Sequence, residues 1–464
     1  MIISFIPKDK DVVAYAQVCK ATSIAVSSSV WHARFIVLFD PATGKTEDLA
    51  QKYMFRQEMV KLSVFFDPTT RIGVHKQGRS NKQMKPAVLK MLKDLIIESD
   101  AQTIIKFFNV PVVEGKNFRW LCRYLQCDVL SVACTDIMDA MLTNDDNEIS
   151  DSKSYGAELL VIQICLAPFA LNRFYHASNK LMHFDESQRM VYAHQEEEPL
   201  FLGTCSTNIN ARWVLHALNF FKFHMRAAGG EGILNTEYDA FDHHLLPQFW
   251  TGKLTGGTQT LDHRWIGAYT FLDYPELIKI RLPSQKNGIF MDEVDSECPF
   301  SDLCIWFDEK YFGKKEWPKR WEHFLRSPLP GFNRPTTRNM PKCPEIKHFF
   351  GRAEDSRVSN FYGCIHELPP QQGIPGFQRL AMLKFFPDQN GLFDPEQVWG
   401  YEGVVLPGNR IIIGRWWDID TVGDSYCGPF IFWNVFGSPT EERTEEKEDV
   451  IKFFDSVNDP SLID

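Results

Sequence analysis

Apolar positions recur every three to four residues through the first half of the chain and then every two residues or in short unbroken runs, so the sequence predicts helices followed by strands. Near the start, Val12, Tyr15, Ala16 and Cys19 share one helical stripe. Trp31, Phe35 and Leu38 share a second, behind Ser28 as a capping residue. Helical spacing continues over 86–227. Pro86 suits a first helical position, where its missing N–H costs nothing, and Val88, Leu89, Leu92, Leu95 and Ile96 extend its stripe. Further helices are predicted over 118–141, 156–169 and 208–226, with an exposed acidic connection over 144–154. The basic stretch 71–93 reads as a solvated loop running into a helix.

Glycine clusters at 229–232 and 252–257 end the helical pattern. Beyond them the runs 265–272, 276–282, 303–307, 361–368, 378–386, 404–406, 411–413 and 428–436 read as strands, about eight in all, enough to close a small barrel. Leu406-Pro407-Gly408-Asn409 reads as a type II turn, because Pro presets the second position and Gly accepts positive φ at the third. A Pro-rich interruption over 312–343 is expected to wrap the outside or one mouth of the barrel. Past the sheet, Ser438-Pro439-Thr440-Glu441 has the form of a capping box, opening a charged helix that can lay Val450, Ile451, Phe453 and Phe454 on the strands. The fold class that follows is α+β: an all-α N-terminal and middle region, then a C-terminal antiparallel β-barrel, a lipocalin-like closure being one form of it. The boundaries fall at 1–65, 66–260, 261–437 and 438–464.

Composition narrows the function. Aromatic residues make up 13% of the chain, and eight of the twelve Trp lie from Trp265 onward, where they suit half-buried pleated surfaces. The formal charge of −10 disfavours nucleic acid, whose phosphates require clustered Lys and Arg. Residues 441–464 alone carry nine acids against three bases. Eleven Cys are scattered singly without Cys-x-x-Cys, which excludes a zinc ribbon and points to a reducing compartment, cytoplasmic or nuclear. The apolar start Met1 to Ile6 is too short for a signal sequence, and no run supports a membrane span.

Reactive motifs are not found. Phe39 to Thr46 resembles a phosphate loop but has Phe39 where its first glycine belongs. His216 and His224 stand two helical turns apart with no carboxylate near in sequence, so neither a metal nor a cofactor is expected. Glu402, Asp418 and Asp420 near Arg415 form the one candidate carboxylate set for a hydrolase. Arg415, between Gly414 and two Trp, can stack on an indole and offer its donors to a carboxylate or carbonyl, either in a substrate or in the barrel rim itself.

Three groups of residues carry a resemblance. They are Tyr401-Glu402-Gly403-Val404-Val405-Leu406-Pro407-Gly408, Gly414-Arg415-Trp416-Trp417 and Gly428-Pro429-Phe430-Ile431-Phe432-Trp433. Together with Trp265-Ile266-Gly267-Ala268-Tyr269, the run 215–223 and Gly373-Ile374-Pro375-Gly376-Phe377-Gln378-Arg379, they resemble a set of fungal F-box proteins. Their C-terminal β-domain is related to the cyclin-D1-binding domain of an animal F-box protein. Phe5-Ile6-Pro7, Asp11-Val12-Val13, Val18-Cys19-Lys20 and the run 29–35 resemble the later part of an F-box, whose Leu-Pro-x-Glu opening does not occur here. The resemblance implies a non-catalytic substrate receptor of an Skp1-cullin-F-box ubiquitin ligase. Ile6, Pro7, Val12, Val13, Val18, Cys19 and Trp31 would then meet the Skp1-type adaptor, which joins the cullin. Tyr401, Glu402, Arg415, Trp416 and Trp417 would meet an unidentified protein substrate. A barrel holding a small apolar ligand, and a hydrolase using Glu402 or Asp418, stand as alternatives.

Overall fold

In the computed structural model of the chain, Leu406 to Asn409 turns as its residue types require. Gly408 has φ +85° and the Asn409 N–H donates to the Leu406 carbonyl at 3.1 Å. The structure describes residues 8–60, 81–124, 149–175, 183–282, 289–307, 343–435 and 444–457, save single residues and short stretches within these ranges, together with Ile3, Ile6, Leu325, Arg326 and Leu329.

Eight strands form a closed antiparallel barrel: β1 (Arg264–Tyr269), β2 (Ser301–Trp306), β3 (Ile346–Glu354), β4 (Val358–Glu367), β5 (Gln378–Pro387), β6 (Phe393–Val405), β7 (Ile411–Asp418) and β8 (Cys427–Asn434). Each pairs with the next, and β8 closes on β1 with Phe432 opposite Gly267, so no edge is left unpaired. Alternation sends Ile412, Trp416, Tyr401, Phe430 and Phe432 inward, where they pack with Trp265, Phe349 and Phe361. Large rings fill the lumen because glycines face them. A Cβ at Gly267 would lie 2.0 Å from the Phe432 ring, and one at Gly363 would lie 2.2 Å from Phe349.

The outer face is covered as well, which is why these strands read as continuous apolar runs rather than as alternating ones. Ile411, Ile413, Ile431 and Trp433 share one core with the helical half of the chain. That half comprises α1 (Asp9–Ala16), α2 (Lys20–Ala25), α3 (Ser28–Leu38), α4 (Thr46–Val60), α5 (Asn81–Ile97), α6 (Lys116–Tyr124), α7 (Ile149–Cys165), α8 (Ala167–Leu171), α9 (Phe184–Tyr192), α10 (Ala211–Arg226) and α11 (Asn235–Ala240). On another part of the barrel, Phe350, Tyr362, Leu383 and Val398 pack with Val450 of the C-terminal helix, Thr444–Val457. Among the described residues no helix is long and apolar enough to cross a membrane.

Several boundaries differ from the sequence reading. The expected strand over 276–282 is instead helix Tyr274–Ile280, with Pro275 in its first turn and Leu277 and Ile280 buried three residues apart. A strand not anticipated, β3, takes its place in the count. The start of the chain holds three short helices rather than two, and Ser27, not Ser28, precedes the third. Pro86 lies inside α5, which begins at Asn81. The helix expected over 118–141 is described for Lys116–Tyr124; the rest of that span, the 438–441 capping box and most of 312–343 lie outside the described residues.

Three histidines are held neutral by burial. It lowers His216 to about 3 and His348 and His366 to about 4, against 6.5 in the unfolded chain. Because the folded values are depressed, the unfolded chain binds more protons between these limits, so stability is full above pH 6.5 and falls as pH drops toward 4. The slope is about 1.4 kcal/mol per pH unit for each histidine. Melting temperatures measured from pH 7.5 to 4.5 are expected to show this decline, and His366→Leu should make it shallower, the other two histidines supplying the rest.

Candidate recognition surfaces

The five barrel residues expected to hold a substrate are instead built into the molecule. Tyr401 lies inside the lumen between Phe430 and Phe361, ring centroids 5.1 and 6.1 Å away. Trp416 also points inward, its indole N–H donating to the Thr270 carbonyl at 3.1 Å. Glu402 faces outward and pairs with Arg379 at 2.5 Å, both groups buried. Arg415 reaches the helical half: its guanidinium stands 4.7 Å over Trp213 of α10 and donates to the Gln195 side chain at 2.9 Å. Trp417 lies across Gly400, where a Cβ would come within 2.3 Å of the indole, with the Arg326 guanidinium 4.6 Å above it. None of the five is more than 5% exposed. Arg415 thus ties the outer face of the barrel to the helical half, rather than meeting a substrate or joining the rim to itself.

Glu402 and Asp418 do not form a pair. Glu402 stands opposite Arg415, whereas Asp418 stands opposite Trp399, an odd number of residues along β7 and therefore on the other face of the sheet. Asp420 lies outside the described residues.

A polar cluster that sequence spacing did not reveal joins three distant segments. Asp292, in the β1–β2 connection, accepts the Tyr192 hydroxyl at 2.8 Å and the Gln188 amide at 2.6 Å, and pairs with His224 Nε2 at 3.1 Å. Gln188 also exchanges hydrogen bonds with the Phe290 backbone, donating at 2.7 Å and accepting at 2.9 Å. All three partners of Asp292 are nearly inaccessible, so the cluster is a clamp between α9, α10 and the connection. Nearby, Ser187 and His216 lie 3.0 Å apart, equally enclosed.

At the N-terminal end the expected adaptor residues divide. Val12 is fully buried, and Trp31 is half-buried against Tyr53, ring centroids 5.8 Å apart, so both belong to the helical core rather than to a contact face. Ile6 is half-buried, with its carbonyl accepting from Arg34. Pro7 lies outside the described residues. Cys19 is exposed at the start of α2, where its N–H donates to Thr22 Oγ1 at 3.0 Å. Val13 and Val18 are exposed at 44% and 72%. The sequence reading missed Ile24, Ile36 and Val37, which are at least half exposed.

This unit is anchored to the middle of the chain. Asp40 accepts the backbone N–H groups of Lys116 and Asn117 at 2.9 and 3.3 Å, capping α6, and the Asp40 N–H donates in turn to Asn117 Oδ1 at 3.0 Å. Arg56, buried, stands 4.4 Å over Phe39 and pairs with Glu98 at 2.5 Å.

Exposed apolar side chains are concentrated in two places. Of sixteen large ones among the described residues, seven fall between Val13 and Met54, and five between Tyr274 and Met291. Comparison of the chain with protein-family models, with curated proteins and with solved structures returned no match.

Proposed function

We propose that the chain is a substrate-recognition subunit of an Skp1-cullin-F-box ubiquitin ligase, with helices α1 to α4 meeting the adaptor and the β-domain meeting the protein to be ubiquitinated. The observation that carries the reading is the seven exposed apolar side chains within Val13 to Met54. Isolated exposed Val or Ile is ordinary, but this density on four short helices is what an apolar helical contact requires. The resemblance of 5–35 to an F-box supplies the partner. Val13, Val18, Ile24, Ile36 and Val37 are the contact set, with Val12 and Trp31 holding the helices beneath them. The ring-filled lumen speaks against a barrel for a small apolar ligand.

The full chain co-expressed with an Skp1-type adaptor is expected to co-purify with it. Val18→Asp combined with Val37→Asp should weaken that association by roughly tenfold or more, as loss of buried interface anchors does. The melting temperature should stay unchanged, because both side chains are exposed. Absence of association with the unsubstituted chain would overturn the reading.

A further inference from the structure

The β1–β2 connection presents the second exposed apolar surface. Tyr274, Ile278 and Leu282 are 48%, 44% and 47% exposed and spaced four residues apart, so they follow one side of α12 (Tyr274–Ile280) and its end. Leu277 and Ile280, buried, seat the helix in the core. Farther along, Ile289 and Met291 are 69% and 75% exposed.

Burying the backbone next to such residues while leaving their side chains in water requires an anchor, and Asp292 is that anchor. Its carboxylate holds Tyr192, Gln188 and His224 at 2.8, 2.6 and 3.1 Å. Glu276 of α12 accepts the Met291 N–H at 3.2 Å, and Phe271 and Glu293 form a two-way backbone bridge at 3.1 and 2.9 Å. The two limbs of the connection are therefore fixed to each other and to α9 and α10. Side chains displayed on a fixed backbone lose little further freedom on binding.

The charge on the connection selects the partner. Asp273, Glu276, Asp292, Glu293, Asp295 and Glu297 are acidic, six against the three bases Lys279, Arg281 and Lys286, the last outside the described residues. Arg281 turns inward, donating to the Tyr192 carbonyl at 2.8 Å and to Cys427 Sγ at 3.1 Å. An apolar surface with an acidic surround complements a segment in which apolar side chains alternate with Lys or Arg, and repels an acidic one.

We infer that the two described limbs of the β1–β2 connection, α12 with its end and the limb carrying Ile289, Met291 and Glu293, rather than the β6–β7 hairpin, are where the β-domain holds its protein partner, through a basic amphipathic segment. The inference rests on the receptor reading for its biological setting, but not for its chemistry. Three labelled 14-residue probes test it by fluorescence anisotropy on the full chain: a Leu/Lys amphipathic peptide, its Leu/Glu twin and a Lys/Ser twin. The Leu/Lys probe is expected to bind at least about tenfold tighter than either twin. Ile289→Asp with Met291→Asp, and separately Glu293→Lys with Glu297→Lys, should each weaken it by about tenfold or more. Unchanged binding in both variants would mean that the peptide is drawn by the overall negative charge, and would overturn the inference; so would equal affinity for the Leu/Glu twin. Adaptor co-purification should be unaffected by these four substitutions. Peptide binding without adaptor binding sinks the ligase reading alone, and the converse sinks this surface alone.

Discussion

Replacing Gly414 with alanine is expected to abolish the cooperative thermal transition of the β-domain or to lower its midpoint by roughly 10 °C. A Cβ at this position would stand 2.0 Å from the Glu402 carbonyl oxygen and 2.5 Å from the Gly403 Cα. Both obstacles are backbone, and that backbone is fixed on two sides: Gly414 pairs with Gly403 on β6 and with Phe430 on β8. No side-chain rotation relieves the clash, so strands must separate, at a cost of about 3 kcal/mol or more. Gly256→Ala is the control, since the nearest heavy atom to its new methyl group would be 4.0 Å away. Scanning calorimetry of both variants checks the contrast; equal transitions would contradict the register of β6 and β7.

Arg379→Met should be nearly as damaging, for a different reason. Arg379 of β5 and Glu402 of β6 are diagonal neighbours on the outer face, their side chains 2% and 4% exposed, and the guanidinium also stands 5.3 Å from the Phe201 ring centroid. Removing the cation leaves a carboxylate enclosed without its counter-charge, a change that costs about 3–5 kcal/mol in comparable buried pairs. Removing both charges does not strand either one. Arg379→Met with Glu402→Leu is therefore expected to recover most of the loss, and the double-mutant cycle in urea unfolding measures the coupling. Additive losses would show that the pair is not coupled in the folded state.

Both substitutions concern residues that the sequence displayed openly but whose roles it concealed. Gly-Arg-Trp-Trp at 414–417 announced a strand with unusual side chains, yet a period of two says only that Arg415 and Trp417 share a face, not which face meets the helices. Trp213, the ring under Arg415, is two hundred residues away in the chain, and nothing local connects them. Asp292 gave still less warning, since its partners Tyr192, Gln188 and His224 lie on two separate helices.

The strand count came out at eight through compensating differences. Residues 276–282 are short and apolar enough to fit either period, and Pro275 beside buried Leu277 and Ile280 decides for helix. Strand β3 was hidden because Lys347, His348 and Arg352 interrupt its apolar residues, although Phe349 and Ala353 face the lumen and Phe350 the outer core. At the N-terminus, Val12 and Val13 could not both lie on a contact face, because adjacent helical residues diverge by about 100°. Burial chose Val12 for the core and left Val13 outside.

The division of labour between the first helices and the barrel is tested most directly by hydrogen exchange on the full chain, alone and saturated with an Skp1-type adaptor. New protection is expected within residues 13–38, where Val13, Val18, Ile24, Ile36 and Val37 stand exposed, while strands β1 to β8 exchange as before. Protection appearing in the barrel strands and not in the first helices, or no change anywhere, would contradict it.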